Sequence, residues 1–196
     1  MIPEMNVLGI NNGVLAGVEQ VSSENWDLRP SGEISLIVIH CISLPEGNFG
    51  GRYIRDLFCN QLDCSQHPDF KSLEGVHVSS HLLIRRDGDC EQYVSLEDRA
   101  WHAGESSYRG RPTCNDYSIG IELEGSTAVP YTDLQYERLA EISGLIMSTY
   151  DIDDIVGHAD IAPDRKTDPG DSFDWLRFRS LINNKYAAGL PDNTVK

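Results

Sequence analysis

Two histidines and an aspartate stand where chemistry is expected. His40 closes the most apolar run of the chain, Ile34-Ser35-Leu36-Ile37-Val38-Ile39, and His158 follows the short apolar pair Ile155-Val156 and a glycine. The ends of buried strands are where an α/β sheet opens into a crevice, so an imidazole there is well placed to face a ligand. Asp168 lies ten residues beyond His158, in the turn Arg165-Lys166-Thr167-Asp168-Pro169-Gly170. Two imidazoles and one carboxylate make a three-ligand set for catalytic zinc, with the fourth position left to water. The competing reading is a pair of hydrogen-bonded core histidines and a solvated turn, and spacing alone does not separate the two.

Zinc in such a site lowers the pKa of water from about 15.7 to about 7 and polarises a carbonyl, the two tasks that amide hydrolysis sets. A carboxylate must then move the proton. Glu122 and Glu124 share one face of the strand 118–124, opposite Ile119, Ile121 and Leu123, because strand side chains alternate. Either fits the role, and a wet outer face accounts for both equally well. Lys166, two residues before Asp168, offers positive charge to a developing oxyanion.

Other candidates are weaker. Trp101 and His102 sit in the small-residue turn Arg99-Ala100-Trp101-His102-Ala103-Gly104, a surface suited to stacking on a sugar or peptide, although Trp101 serves equally as core filler. His81 falls inside a strand pattern and reads as structural, and His67 and His77 have no informative context. Cys41 points to the opposite face from His40, and none of the five cysteines adjoins a basic cluster that would depress its pKa.

The elements that must position these groups are legible in outline. The first 32 residues lack a sustained period and end in Leu28-Arg29-Pro30-Ser31-Gly32, which reads as an irregular arm. A strand buried on both faces is predicted over 34–39, and a helix over 52–62 from Tyr53, Ile54, Leu57, Phe58 and Leu62. Asp87-Gly88 between the runs 76–85 and 91–95 marks a hairpin, and a further strand covers 118–124. Thr132 and Gln135 form a capping box for a helix reaching about Tyr150, and 155–156 is a short strand. A final helix from near Ser172 is expected to turn Phe173, Leu176 and Leu181 inward. The sum is a mixed α/β fold: a single domain over 29–185 with a central mixed β-sheet flanked by α-helices, preceded by an arm at 1–28 and followed by a flexible tail at 186–196.

Composition narrows the partners. With 16 Lys and Arg against 31 Asp and Glu among 196 residues, the formal charge is −15, which repels nucleic acid and anionic membrane surfaces. No apolar run approaches the ~20 residues of a membrane-spanning helix. Five cysteines form an odd set without a CxxC pair, and the first residues lack the basic-then-apolar pattern of a secretory signal, so reduced thiols and a cytoplasmic location are expected.

The strings themselves are familiar. Val38-Ile39-His40, the run from His81 to Gly88, Arg99-Ala100-Trp101-His102-Ala103-Gly104, the run from Cys114 to Gly125, Gly157-His158 and the run from Ile161 to Gly170 together resemble the zinc N-acetylmuramoyl-L-alanine amidases. That family also includes phage lysozyme-type amidases and peptidoglycan-recognition proteins, and the resemblance spans roughly residues 28 to 178. It implies zinc held by His40, His158 and Asp168, Glu122 rather than Glu124 as general base, and Lys166 at the oxyanion. Substrate contacts are expected at Cys41, Trp101, His102 and Arg165. The chain departs from the family pattern at Cys41, where asparagine is common, and at His77 and Thr113, where arginine is common. The implied role is hydrolysis of the amide between (1,6-anhydro-)N-acetylmuramic acid and L-alanine in cytoplasmic peptidoglycan recycling, by a monomer acting on a small muropeptide. A phage-type endolysin on polymeric peptidoglycan and a non-catalytic binding module are the rivals, and the latter usually lacks a zinc ligand.

Overall fold

The computed structural model describes residues 8–186. Its core is a six-stranded sheet in the order β12 (Asp154–Gly157), β5 (Leu36–Ile42), β11 (Ser118–Glu124), β6 (Leu82–Ile84), β7 (Cys90–Gln92), β3 (Glu19–Gln20). Four consecutive strands, from β12 at one edge through β5 and β11 to β6, run parallel. β7 (Cys90–Gln92) pairs antiparallel with β6, Leu82 opposite Gln92 and Ile84 opposite Cys90, so the Asp87-Gly88 hairpin forms with shorter strands than predicted. Gly88 takes φ +86°, the left-handed conformation such a turn requires.

Alternation along the strands divides the two faces. Ile37 and Ile39 of β5 and Ile119, Ile121 and Leu123 of β11 join one large apolar cluster. Onto it pack α2 (Asp133–Thr149), through Leu139, Ala140, Ile142 and Ile146, and the last helix, α4 (Trp175–Tyr186), through Phe178 and Ile182. The capping box starts α2 as expected, with Thr132 Oγ1 accepting the Gln135 amide N–H at 3.2 Å and Gln135 Oε1 accepting that of Thr132 at 3.1 Å. On the opposite face α1 (Tyr53–Phe58) covers Leu83 with Ile54, Leu57 and Phe58, while Leu36 and Val38 meet Ala103, Tyr117 and Ile161. This second face also carries His40 and Glu122.

Several boundaries move. β5 starts at Leu36 and runs through His40 to Ile42, so His40 lies within a strand rather than after it. The expected helix over 52–62 is reduced to α1, which gives way to Asn60 at φ +58°. Leu176 is 79% exposed, contrary to the inward face predicted for it; Phe178 and Ile182 are the residues that turn toward α2.

The N-terminal segment is more regular than its lack of period suggests. β1 (Gly9–Asn11) and β2 (Val14–Ala16) form a hairpin across Asn12-Gly13, both at positive φ, which is the Asn-Gly signature of a tight hairpin. β3 (Glu19–Gln20) adds an edge strand beside β7, and β4 (Trp26–Asp27) pairs with β8 (Arg99–Ala100). β3 and β4, of two residues each, are too short to display an alternation, and their partners lie some 70 residues away. A second small hairpin, β9 (Ser107–Tyr108) with β10 (Arg111–Pro112), occupies the turn-rich stretch before β11. The four-residue α3 (His158–Ile161) follows β12. Apart from Tyr186, which closes α4, the expected tail lies outside the described residues. No helix among them is long and apolar enough to cross a membrane.

Candidate functional site

Strand register brings the separated residues together. Gly157 of β12 is the partner of Ile39 in β5, so the next residues along the two strands, His158 and His40, emerge side by side although 118 positions apart. Their Nδ1 atoms are 2.9 Å apart. Asp168 Oδ2 completes a triangle, 3.3 Å from His40 Nδ1 and 3.1 Å from His158 Nδ1. Among the described residues these three form a group that could hold a metal ion, with both histidines buried and the aspartate half-buried.

The turn bearing Asp168 is fastened from several sides. The Ala159 amide donates to the Asp168 carbonyl at 2.9 Å, and the Tyr131 hydroxyl donates to the Pro169 carbonyl at 2.8 Å. A Cβ on Gly157 would stand 2.7 Å from Pro169 Cδ, so glycine is needed for the turn to close against β12. Gly170, at φ +82°, lies equally tight against Thr127. The carboxylate is thereby held toward the imidazoles without being in their strand layer.

The outer nitrogens of the two rings are also committed. His158 Nε2 lies 3.1 Å from the Ala103 carbonyl oxygen, which only accepts, so this nitrogen carries the proton and Nδ1 keeps its lone pair when the ring is neutral. His40 Nε2 is 2.9 Å from His102 Nδ1. Burial drives the His40 imidazole down to about 4, and drives His102 well below the usual histidine range, so both are neutral at pH 7.

Glu122 is the register partner of His40 and therefore faces the same side at the same level. It is buried, and its Oε2 has no hydrogen-bond partner. Burial, reinforced by the Asp168 carboxylate, raises the Glu122 carboxyl well above the usual range, against the opposing charge of Lys166. Glu124 shares the face but is spoken for: its carboxylate pairs with Arg85 at 3.2 Å and accepts the Gly50 and Arg86 amides at 2.7 and 3.2 Å. The wet outer face considered for both glutamates is absent, since both are buried. Lys166 is half-buried at the rim, and its charge reaches both Glu122 and His40.

The remaining sequence candidates divide. Arg165 donates from Nη2 to the carbonyls of Ala103 and Glu105, each at 2.7 Å, clamping the loop that also receives His158. Trp101 is half-buried on the same loop. Cys41 turns to the other face of β5, as its position requires, where burial pushes its thiol up to about 12 and Tyr131 is its neighbour. His102 is corrected: its ring is buried against His40 instead of lining an open stacking surface. Sequence reasoning passed over Asn115, whose Oδ1 accepts the amides of His102 and Ala103, and Ser118, which meets His102 Nε2 at 3.1 Å. A cavity of about 730 Å³ beside Glu124 is lined by four arginines, of which Arg52, Arg55 and Arg85 are paired with carboxylates.

The pattern has known relatives. The family model for N-acetylmuramoyl-L-alanine amidase matches residues 30–171. The chain belongs to this amidase family. The amidase is 51% identical to the 1,6-anhydro-N-acetylmuramyl-L-alanine amidase AmpD of Citrobacter freundii over 88% of its own length and 94% of that protein's. It superposes on a crystal structure of a selenomethionine AmpD derivative with a TM-score of 0.87 and 50% identity, covering 88% of this chain and 98% of the other. The Escherichia coli amidase AmiD, solved in complex with anhydro-N-acetylmuramic acid-L-Ala-D-γ-Glu-L-Lys, matches at a TM-score of 0.56 and 27% identity over 89% of this chain and 65% of its own. These likenesses cover the mixed α/β domain expected from sequence, and the activity is that of an N-acetylmuramoyl-L-alanine amidase.

Proposed function

We propose that this amidase is zinc-dependent and cleaves the amide between the lactyl carbonyl of 1,6-anhydro-N-acetylmuramic acid and the L-alanine of a stem peptide, as a monomer in cytoplasmic peptidoglycan recycling. The observation that carries the metal is the triangle of His40 Nδ1, His158 Nδ1 and Asp168 Oδ2, with edges of 2.9, 3.1 and 3.3 Å. Zinc bonds of about 2.0–2.1 Å in a tetrahedron space ligand atoms about 3.3 Å apart, and two imidazoles with one carboxylate leave a position for water, as catalytic zinc sites do. Five free thiols suit a reducing compartment. Both AmpD and the AmiD complex support a small anhydro-muramyl peptide as substrate.

When bound, zinc supplies Lewis acidity that polarises the scissile carbonyl and makes water a competent nucleophile near neutral pH. Glu122 accepts a proton from the attacking water as the new C–O bond forms. It returns that proton to the alanine nitrogen as the C–N bond breaks, releasing a lactyl carboxylate and a free amine. Its burial and its unpartnered Oε2 suit a group that must exchange a proton rather than hold a fixed charge. Lys166 stabilises negative charge on the carbonyl oxygen during the step. Trp101, just before the 103–105 loop, and Arg165, which clamps that loop, are our choice for contacts to sugar and peptide; Cys41, packed on the other face of β5, is not among them.

The test is release of stem peptide from anhydro-muramyl tripeptide, followed by liquid chromatography with mass detection, by metal-free protein before and after one equivalent of zinc. Cleavage that requires zinc is expected. Zinc uptake without cleavage would overturn the assigned substrate, and cleavage by protein held metal-free would overturn the metal.

A further inference from the structure

Resting on the zinc reading above, we propose that His102 is a positioning residue for the metal. A three-member hydrogen-bond chain that begins at the Cys114 carbonyl fixes its tautomer, and through it the tautomer of the ligand His40.

The direction of each bond follows from its end. The Cys114 carbonyl oxygen accepts only, so the Ser118 hydroxyl, 2.6 Å away, is the donor. Its proton spent, Ser118 Oγ accepts at 3.1 Å from His102 Nε2, which must carry the ring's proton. A neutral His102 then has a bare Nδ1, and this accepts at 2.9 Å from His40 Nε2–H. With its proton on Nε2, His40 keeps the Nδ1 lone pair that points at His158 Nδ1 and Asp168 Oδ2. His158 reaches the same tautomer independently through the Ala103 carbonyl. A ligating histidine usually hands its other N–H to a carboxylate, a carbonyl or water; here the acceptor is another imidazole, itself anchored to backbone.

The ring of His102 has a built seat. A Cβ on Gly120 would stand 2.5 Å from His102 Cγ and 2.6 Å from Nδ1, so the imidazole lies flush on the backbone of β11 where any side chain would displace it. Asn115 Oδ1 holds the His102 amide at 3.2 Å, and His81 Nδ1 holds the Gly120 amide at 2.9 Å beneath it. Glycine inside a strand marks a close approach, and His102 is what approaches.

Zinc affinity by competition with a chromophoric chelator is the readout, with urea unfolding as a check on folding. His102→Phe, which fills the seat but accepts nothing, is expected to bind zinc about 10- to 100-fold more weakly. His102→Asn, whose Oδ1 takes the place of Nδ1, should restore affinity to within about threefold of the parent, and Gly120→Ala should weaken it though no polar group is removed. Nitrogen-15 NMR of the unsubstituted protein reads the same inference directly, and expects His102 protonated on Nε2 with a bare Nδ1. A folded His102→Phe variant with parental zinc affinity, or a proton on Nδ1 of His102, overturns the proposal while leaving the zinc reading intact. A parent protein that takes up no zinc overturns both.

Discussion

Glu122 stands directly across from His40 in the parallel pairing of β5 and β11, so the proposed proton carrier and the first proposed metal ligand share one face at one level of the sheet. Two residues farther on, Glu124 shares the face but ends in an ion pair with Arg85. The pairing register thus separates two glutamates that alternation alone leaves equivalent.

Glu122→Gln keeps the volume and removes the carboxylate that would accept and return the proton. Turnover is expected to fall by about 10²- to 10⁴-fold with zinc content unchanged, the loss typical of general acid–base catalysis. Glu124→Gln should instead lower stability, because it strips a partner from Arg85 at a buried position, and leave the turnover of the folded enzyme within about tenfold. Steady-state kinetics beside metal analysis and urea unfolding separates the two.

Asp168→Ala and Lys166→Met distinguish holding the metal from using it. The first should empty the site, read as loss of zinc by elemental analysis. The second should retain one zinc per chain while kcat falls by about 10²- to 10³-fold, as when one oxyanion donor is removed. Retention of stoichiometric zinc by Asp168→Ala would show that the ligand set is wrong.

Acid should destabilise the fold through His81. Burial, with the Arg29 charge beside it, pushes this imidazole down to about 3, whereas the unfolded chain titrates near about 6.5. Between those values the unfolded state binds more protons, so stability falls as pH decreases, by about 1.4 kcal/mol per pH unit in the middle of the window. His81→Asn keeps an acceptor for the Gly120 amide and loses the titration. Urea unfolding from pH 7 to pH 4 under equal zinc conditions should give a shallower decline for the variant, and parallel curves would exclude His81 as the source.

Leu15 tests whether the N-terminal hairpin folds with the rest. It is fully buried in the main apolar cluster, and Leu15→Ala is expected to cost about 2–5 kcal/mol in urea unfolding. An unchanged midpoint would mean that this segment is dispensable to the domain.

Much of this architecture is legible in the chain. The continuous β-branched run predicts β5, the Asp-Gly turn predicts the β6–β7 hairpin, and Thr132 with Gln135 predicts the start of α2, because each is a local preference written within a few residues. β3 and β4 escape that reading, since each owes its existence to a distant partner, β7 and β8 respectively, whereas the β1–β2 hairpin is local and turns on Asn12-Gly13. Leu176 follows a helical period yet faces outward, because the face of α4 that packs on the core carries Phe178 and Ile182 instead.

The candidate site divides along the same line. Residue type and strand position by themselves determine that His40, His158 and Asp168 are a possible ligand set, and that Glu122 and Glu124 look the same way. Only the tertiary structure decides that the three candidate ligand atoms meet within 3.3 Å, that Glu124 is consumed by Arg85, and that His102 lies behind His40. Those outcomes depend on the register of β5, β11 and β12 and on which carbonyls accept from which rings. Both are relations between segments tens of residues apart, and hydrogen bonds of that kind leave no periodic mark on the sequence that makes them.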